Sequence, residues 1–584
     1  MSVQVNTLQK ILVASGLITK ERFEELSATA ETKGLSIEKV LLDSGVIDPI
    51  KLLEIKGDLM GVHTVDVRHL KIPRDVLGLV PEPIARRHNV IAFAKSGDEL
   101  HLAMTDPDNL QIREFIKKTS GMPVKPFLTT QESIEAGLSL YHNNIEEEFK
   151  KILGSDAGKL GLTATSAQEL NDKLASIAEQ IPVVRVVDTL LEYAIFEKAS
   201  DIHIEPDENR VAVRYRIDGI LHEVMSLPKI VLSAVVARVK VLSSLKIDEH
   251  RLPQDGRFKK EIGESKVSFR VSTIPIFDGE KVVLRLLDET AKAMTLPELG
   301  LSDKKLDIVM RNIKRPHGAI LVTGPTGSGK STTLYSILTM LNTREVNIST
   351  IEDPVEYRIP GVNQMQVNPK INLTFALGLR ALLRQDPNII MIGEIRDLET
   401  AEEAVHAAMT GHLVLSTLHT NSAAGALPRL LDMNVEPFLI ASTINVIIAQ
   451  RLVRRLCSNC MASYNLTKEQ IGELAKLFDL EGLLKIMIRE GAILPKVKSL
   501  EDILFFKGQG CDKCNNTGYK GRQSMYEVLE VTPQIGGLIM KRAPSGDLQN
   551  TAVENGMVLL WQDGFIRAHM GVTSIEEVIR VTRD

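Results

Sequence analysis

The residues with the clearest chemistry form a glycine-rich loop: Gly324, Pro325, Thr326, Gly327, Ser328, Gly329, Lys330, Ser331 and Thr332. The spacing matches the G-x-x-x-x-G-K-[ST] pattern, in which backbone N–H groups at a helix N-terminus hold phosphates. Lys330 is expected to reach the β- and γ-phosphates, and Ser331 to offer its hydroxyl to Mg²⁺. An ordinary glycine-rich turn is the alternative. We prefer the phosphate loop because the whole motif lies between an apolar strand, 319–322, and a helix predicted to end at about Leu341.

Acidic candidates follow the next two predicted strands of the chain. Residues 347–351 precede Asp353 and Glu356, and residues 388–392 precede Glu394. Acids at the carboxyl ends of parallel strands point into the crevice where open α/β sheets bind ligands. The sequence therefore predicts that these three carboxylates lie close to the bound phosphates.

Two histidines bracket a third apolar strand. His412 precedes residues 413–418 and His419 follows them. A lone histidine is usually a structural residue, but a pair around one strand of a nucleotide-binding domain also fits a site that senses the γ-phosphate. We expect both histidines to lie within reach of that phosphate.

Arginines recur in the segment that precedes the phosphate loop. Residues 210–216 alternate basic and apolar side chains, which is typical of a half-buried strand. Arg257, Arg270 and Arg285 follow in later segments of the same domain. A solvated sheet face is the alternative for these arginines. The nucleotide site that follows still needs positive charge on the γ-phosphate, which favours a role there.

The four cysteines of the chain form two C-x-x-C pairs, Cys457 with Cys460 and Cys511 with Cys514. Each two-residue spacing allows both thiolates to face one ion, so the set predicts a tetrahedral, structural Zn²⁺ site. Two disulfides are disfavoured by the expected cytosolic location, and a redox dithiol does not explain two pairs. With four ligands and no open position, this zinc is not expected to take part in catalysis.

Composition sets limits on the kind of protein. A chain of 584 residues has room for three or four domains. The net charge of −5 gives no overall attraction to nucleic acid or to an anionic membrane. We see no N-terminal apolar signal and expect a cytoplasmic protein that reaches a membrane only through a partner.

We predict four parts in the chain. They are an N-terminal module at 1–145, a flexible linker at 146–169, an arginine-bearing domain at 170–290, and a nucleotide-binding domain at 291–584 with the cysteine insertion at about 452–522. The N-terminal module contains a small helical unit used twice, in which Leu12 and Gly16 correspond to Leu41 and Gly45. Strands at 90–93 and 100–104 follow as a pair.

Several of these motifs together resemble one family, the secretion ATPases, and more narrowly the GspE/PilB group of type II secretion and type IV pilus assembly ATPases. The resemblance rests on the phosphate loop, the "Asp box" at 350–356, the 392–394 motif, the "His box" at 411–420, the 199–206 signature and the tetracysteine insertion. It implies a multidomain α/β fold with a RecA-like P-loop core, a preceding PAS-like α/β domain and an N-terminal module like the MshEN domain. It also implies a cytoplasmic homo-hexamer, peripheral at the inner membrane through a platform protein.

The resemblance also suggests a role for each site residue. Glu356 would orient and deprotonate the attacking water, Glu394 would organise Mg²⁺ through water, and Asp353 would support either from a distance. Arg270 and Arg285, with Arg257 less firmly, would close on the γ-phosphate. Two other functions stay open, a zinc-ribbon nucleic-acid translocase and a nucleotide-gated scaffold without useful turnover. The acidic charge balance disfavours nucleic acid as a partner.

The N-terminal repeat predicts weak or absent binding of cyclic di-GMP. Related pilus ATPases bind this ligand through a motif that begins Arg-Leu-Gly, but this chain has Thr7 and Ser36 at the arginine positions and Gln9 and Glu38 at the glycine positions. Neither replacement supplies a planar fork for phosphate or a close backbone approach. Titration of the full-length chain with labelled cyclic di-GMP should show no saturable binding in the micromolar range. Saturable micromolar or tighter binding would contradict this prediction.

Overall fold

The structure, a computed structural model, describes residues 9, 12–13, 17–33, 37–138, 140, 181–262, 265–289, 294–301, 303–514 and 516–582. The chain forms two compact units. The first comprises Met1–Ile262 and Val267–Leu286, and the second comprises Gly263–Lys266 and Leu287–Asp584. The linker predicted at 146–169 lies outside the described residues, and so do Thr7, Gly16 and Ser36.

The described part of the first unit includes the helices α1 (Lys20–Lys33), α2 (Ile37–Asp43) and α3 (Pro49–Met60). Thr19 caps the N-terminus of α1, because its hydroxyl accepts the backbone N–H of Arg22 at 3.3 Å. Leu12 and Leu41 hold equivalent positions of the repeat, and they are 1% and 0% exposed in one small core. The two copies of the sequence repeat therefore bury equivalent leucine side chains.

A small α/β module follows. Its elements are α4 (Arg74–Leu77), α5 (Glu82–His88), β1 (Val90–Ser96), β2 (Glu99–Met104), α6 (Leu110–Ser120) and β3 (Val124–Leu128). The sheet order is β1-β2-β3, with β1 antiparallel and β3 parallel to β2. Gly97 makes the β1–β2 turn with φ +60°, a conformation that glycine adopts without steric cost. The hairpin predicted from the sequence is confirmed.

The arginine-bearing domain is a six-stranded sheet with two longer helices. Its elements are α7 (Ile181–Phe196), β4 (Asp201–Pro206), β5 (Arg210–Ile217), β6 (Ile220–Pro228), α8 (Leu232–Leu242), β7 (Gln254–Ile262), β8 (Ser265–Ile276) and β9 (Gly279–Asp288). The strand order is β6-β5-β4-β9-β8-β7. Val211, Val213 and Tyr215 of β5 are buried, which confirms the alternation expected for a half-buried strand.

The α/β module and the arginine-bearing domain share one hydrophobic core. The rings of Phe115 and Phe196 lie 4.4 Å apart, and His88 Nε2 lies 2.9 Å from Glu197 Oε1. The sequence predicts separate domains here. The structure differs because α7 packs apolar side chains against both partners, a long-range contact with no local sequence signal.

The second unit is built on a seven-stranded sheet in the order β12-β11-β13-β14-β10-β15-β18. The strands are β10 (Gly318–Thr323), β11 (Ile348–Glu352), β12 (Val362–Gln366), β13 (Ile389–Ile392), β14 (Leu413–Leu418), β15 (Ile444–Leu456) and β18 (Tyr519–Glu530). All neighbours are parallel except β15 and β18. The strands β10, β11, β13 and β14 are buried along their whole length, as expected for a parallel sheet covered on both faces.

Helices cover this sheet on both sides. They are α9 (Asp303–Ile313), α10 (Lys330–Leu341), α11 (Phe375–Leu382), α12 (Leu398–Met409), α13 (Ala426–Asp432) and α14 (Pro437–Thr443). Four more helices close the chain after β18, namely α17 (Pro533–Met540), α18 (Ser545–Glu554), α19 (Leu560–His569) and α20 (Ile575–Thr582). Among the described residues, no helix is both long and apolar enough to cross a membrane.

The insertion predicted at about 452–522 lies between β15 and β18. It contains β16 (Met461–Asn465), α15 (Lys468–Ala475), α16 (Leu480–Arg489) and β17 (Leu504–Gly508). Strands β16 and β17 pair antiparallel. Because β15 and β18 also pair antiparallel, the two ends of the insertion meet where the ladder ends, and this brings the two C-x-x-C pairs together.

Candidate functional site

The phosphate loop connects β10 to α10, as its spacing predicts. Gly324, Gly327 and Gly329 have φ values of +149°, +79° and +87°. L side chains rarely adopt such conformations, so the loop needs glycine at these positions. The helix α10 starts at Lys330, and its N-terminus therefore opens at the carboxyl edge of the parallel sheet.

Lys330 folds back over the loop. Its ammonium group donates to the carbonyl oxygens of Gly324 at 2.8 Å and Pro325 at 3.1 Å. Burial lowers the pKa of Lys330, the carboxylate of Glu394 opposes this shift, and the charge of Arg451 adds to it. The charges of Glu394 and Arg451 therefore both act on the Lys330 ammonium. A phosphate group is a stronger partner than the two carbonyls that the ammonium now holds.

Glu352, the last residue of β11, and Glu356, four residues later, have different surroundings. Glu352 is 3% exposed and accepts hydrogen bonds from Thr350 Oγ1 at 2.6 Å, from Gln364 Nε2 at 3.1 Å and from the hydroxyl of Tyr335. Burial raises the pKa of Glu352, and these hydrogen bonds oppose the shift. With its oxygens occupied in this way, Glu352 is a structural acid that fixes the end of β11.

Glu356 differs from Glu352 in having a carboxylate oxygen that no described residue contacts by a hydrogen bond. Its Oε2 atom is buried and has no hydrogen-bond partner among the described residues. Its backbone N–H donates to the hydroxyl of Tyr335 at 3.4 Å, and Tyr335 belongs to the helix that carries the phosphate loop. A buried carboxylate oxygen without a partner is costly unless a ligand or water completes it.

Glu394 follows β13 at the same edge of the sheet. One of its oxygens lies 3.1 Å from His419 Nε2, and the other lies 2.7 Å from a guanidinium nitrogen of Arg396. The Glu394 side chain is 13% exposed, whereas that of His419 is 44% exposed. His419 therefore lies at the mouth of the crevice with its ring oriented by a carboxylate.

His412 lies at the opposite edge. It precedes the first residue of β14, and its backbone carbonyl accepts the N–H of Gly318, the first residue of β10. Its ring Nδ1 lies 3.0 Å from the carbonyl oxygen of Ala407. Because β14 separates the two histidines by about 20 Å at the usual rise per residue, the expectation that His412 reaches the γ-phosphate is not met within this chain.

Ser331, Thr332 and Asp353 lie where the sequence predicts them. Ser331 and Thr332 occupy the first turn of α10 and are exposed. Asp353 directly follows β11 and is also exposed. All three side chains are accessible at the carboxyl edge of the sheet, where a hydrated cation bound to phosphates could be reached.

The three candidate arginines belong to the first unit. Arg257, Arg270 and Arg285 lie on β7, β8 and β9, three consecutive strands of its sheet. Arg285 Nε lies 2.9 Å from Asp201 Oδ1, which gives this guanidinium a fixed partner inside its own domain. Arg270 is flanked by Phe269 and Val271, both fully buried, so its own side chain lies on the other face of the strand.

Sequence reasoning missed Tyr335 and Arg451 and left Glu352 without a role. The Tyr335 hydroxyl donates to the Glu352 carboxylate and accepts the backbone N–H of Glu356. Arg451 donates to Asn421 Oδ1 at 3.0 Å, beyond the residues of β15 that pair with β10. The available signal was the polar pair Gln450-Arg451, which directly follows the apolar run 446–449.

The four cysteine sulfurs converge at the ends of β15 and β18. All four lie within 4.8 Å of one another. The Cys457–Cys511 distance is 3.8 Å, and the Cys460–Cys514 and Cys511–Cys514 distances are each 3.7 Å. Backbone N–H groups of Cys511 and Gly518 donate to Cys514 Sγ, as they would to a thiolate. The cluster can hold one metal ion, as the spacing predicts.

Comparison with known proteins finds matches for two stretches of this chain. Residues 176–580 match the family described as Type II/IV secretion system protein, and residues 60–147 match the MshEN domain. The type IV pilus assembly ATPase PilB of Myxococcus xanthus is 39% identical over 98% of each chain. The PilB protein of Pseudomonas aeruginosa is also 39% identical, over the whole of both chains. The type II secretion system ATPase E of Vibrio cholerae is 44% identical over 78% of this chain and 86% of its own.

The family match and the site geometry agree. The matched family covers the arginine-bearing domain, the phosphate loop, the three motifs that follow it and the cysteine cluster. The multidomain α/β fold class expected from the sequence is confirmed. Since one family covers more than half of the chain and relatives at 39–44% identity span most of it, the chain belongs to the type II/IV secretion ATPase family.

Proposed function

We propose that this chain hydrolyses ATP and thereby powers type IV pilus assembly or type II secretion. Its relatives are named for these two processes. The observation that carries the catalytic part is the buried, unpartnered Oε2 atom of Glu356, attached through Tyr335 to the helix of the phosphate loop. This is the arrangement that a base needs if it is to hold a single water molecule against the γ-phosphate.

Phosphate binding would use groups that are already positioned. The N–H groups of residues 327–332 open at the N-terminus of α10, and Lys330 would exchange its two carbonyl partners for phosphate oxygens. Ser331 and Glu394 would hold Mg²⁺, the latter through water, with Asp353 in support. When bound, Mg²⁺ neutralises charge on the β- and γ-phosphates.

Hydrolysis would use the acid that the fold leaves free. Glu356 would accept a proton from the attacking water, while Glu352 is already occupied by three donors. His419, oriented by Glu394, would contact the γ-phosphate and lose that contact when the phosphate leaves. Arg270 and Arg285, and also Arg257, would supply further positive charge when the arginine-bearing domain closes.

The cysteine cluster would hold structural Zn²⁺. A tetrahedron with Zn–S bonds of about 2.3 Å has an S–S edge of about 3.8 Å, which matches the separations of 3.7–3.8 Å in this cluster. The zinc would tie together the two ends of the insertion and take no part in hydrolysis. The whole assembly would be a cytoplasmic homo-hexamer, docked on an inner-membrane platform protein and independent of nucleic acid.

The first test of this function replaces the base. Glu356→Gln should bind ATP close to normally and hydrolyse it about 10²–10⁴-fold more slowly, because only the proton acceptor is lost. Lys330→Ala should instead weaken ATP binding, because a phosphate contact is lost. Equilibrium binding and steady-state phosphate release measure the two effects, with Glu473→Gln, an exposed acid of the insertion, as a matched control. Wild-type turnover by Glu356→Gln would rule out this acid as the base.

A second test removes one ligand of the cluster. Cys460→Ser should lower the metal content from one zinc per chain towards zero and reduce the melting temperature. Only three of the four cysteine ligands remain, and the serine hydroxyl is left as a partly buried polar group. Elemental analysis and calorimetry measure both. Lys513→Ala changes an exposed residue between two of the cysteines and should leave both values unchanged. Full zinc content in Cys460→Ser would contradict the assignment.

A third test concerns assembly. Mass measurement of the full chain with a non-hydrolysable ATP analogue should show six subunits, since a closed ring can pass domain closure from one subunit to the next. A purely monomeric species that retains full ATPase activity would contradict the ring.

A further inference from the structure

Gln450 is a polar residue in the apolar interior of β15, and it is 1% exposed. Residues 446–449, which precede it, are all buried and apolar. A buried amide is costly unless its donors and its acceptor are both satisfied, so its presence in the strand calls for a specific partner set.

The side-chain amide of Gln450 is engaged at both ends. Its Oε1 atom accepts the hydroxyl of Thr333 at 2.8 Å, and its Nε2 atom donates to the hydroxyl of Ser524 at 2.9 Å. Thr333 lies in the first turn of α10, three residues after Lys330, and Ser524 lies on β18. Thr333 and Ser524 are themselves 0% and 2% exposed. These contacts fix the amide between the helix that follows the phosphate loop and the antiparallel edge of the sheet.

Gln450 also packs directly against two glycines of the phosphate loop. A Cβ atom at Gly329 would lie 2.8 Å from Gln450 Nε2, and one at Gly324 would lie 2.5 Å from the Gln450 carbonyl oxygen. Both glycines have positive φ, so they are the points at which the loop turns. Gln450 therefore forms the wall against which these two turns rest.

From this geometry we infer that Gln450 is a positioning residue. It holds the phosphate loop and the first turn of α10 in the nucleotide-binding conformation. The Gln450 side chain acts through Thr333 and Gly329, while its backbone carbonyl lies against Gly324, and it needs no contact with the nucleotide. Its replacement should weaken nucleotide binding beyond what the loss of stability explains. The inference rests on the proposed function of the loop, because it names what sets the geometry of that site.

The test uses Gln450→Met in the full-length chain. Methionine has about the same length and volume but offers neither of the two hydrogen bonds. The dissociation constant of fluorescent mant-ADP should rise at least tenfold, and the melting temperature should be measured on the same samples. Thr443→Val is the matched control, since it deletes a buried hydroxyl of the same unit that donates to the Leu439 carbonyl of its own helix α14. This control should lower the melting temperature with less than a twofold change in mant-ADP affinity.

Thr333 provides a second route if Gln450→Met does not fold. Thr333→Val removes the hydroxyl that Gln450 accepts, and Thr333→Ser keeps it. The valine variant should bind mant-ADP at least fivefold more weakly than the serine variant. The inference is overturned if Gln450→Met binds within twofold of the wild type, if Thr443→Val weakens binding equally, or if the two Thr333 variants bind alike. If the wild-type chain itself fails to bind mant-ADP, the proposed function fails instead.

Discussion

The structure depends on one electrostatic requirement, which is that several negative charges of a nucleotide must be held by groups already aligned before binding. A parallel sheet meets this requirement at its carboxyl edge, where strands end together and helices begin. In this chain β10 ends at the phosphate loop, β11 ends at the Asp box, β13 ends before Glu394 and β14 ends before His419. The order β11-β13-β14-β10 brings these four strand ends side by side.

Two glutamates at this edge of the sheet differ in their hydrogen bonding. Glu352 faces into the sheet and is satisfied by Tyr335, Thr350 and Gln364, whereas Glu356 lies four residues later with a buried oxygen that no described residue completes. Glu352 maintains the shape of the edge, and Glu356 is the acid that we propose for the reaction. Tyr335 connects both to α10, so the phosphate loop and the Asp box are held as one rigid set.

Much of this site follows from local sequence. The phosphate loop, the strand ends and the C-x-x-C spacing each depend on residues within a few positions of one another, and the structure shows the elements that they predict. His412 shows the limit of this reasoning, because a parallel strand carries its two ends to opposite edges of the sheet. The shared core of the α/β module and the arginine-bearing domain shows another, because the contact of Phe115 with Phe196 joins residues about 80 positions apart. Gln450 was overlooked because its partners come from α10 and β18, distant parts of the chain.

We propose that the residues at this edge form an ATP-hydrolysing site with Glu356 as its base. The most direct measurement is a crystal or cryo-electron microscopy structure of the full-length chain with Mg²⁺, ADP and aluminium fluoride, which mimics the transferring phosphate. We expect Glu356 Oε2 to hold an in-line water at hydrogen-bond distance. The Lys330 ammonium should have left the carbonyls of Gly324 and Pro325 for the phosphate mimic. A bound mimic whose in-line water is held by a different acid, with Glu356 Oε2 still unpartnered, would contradict it.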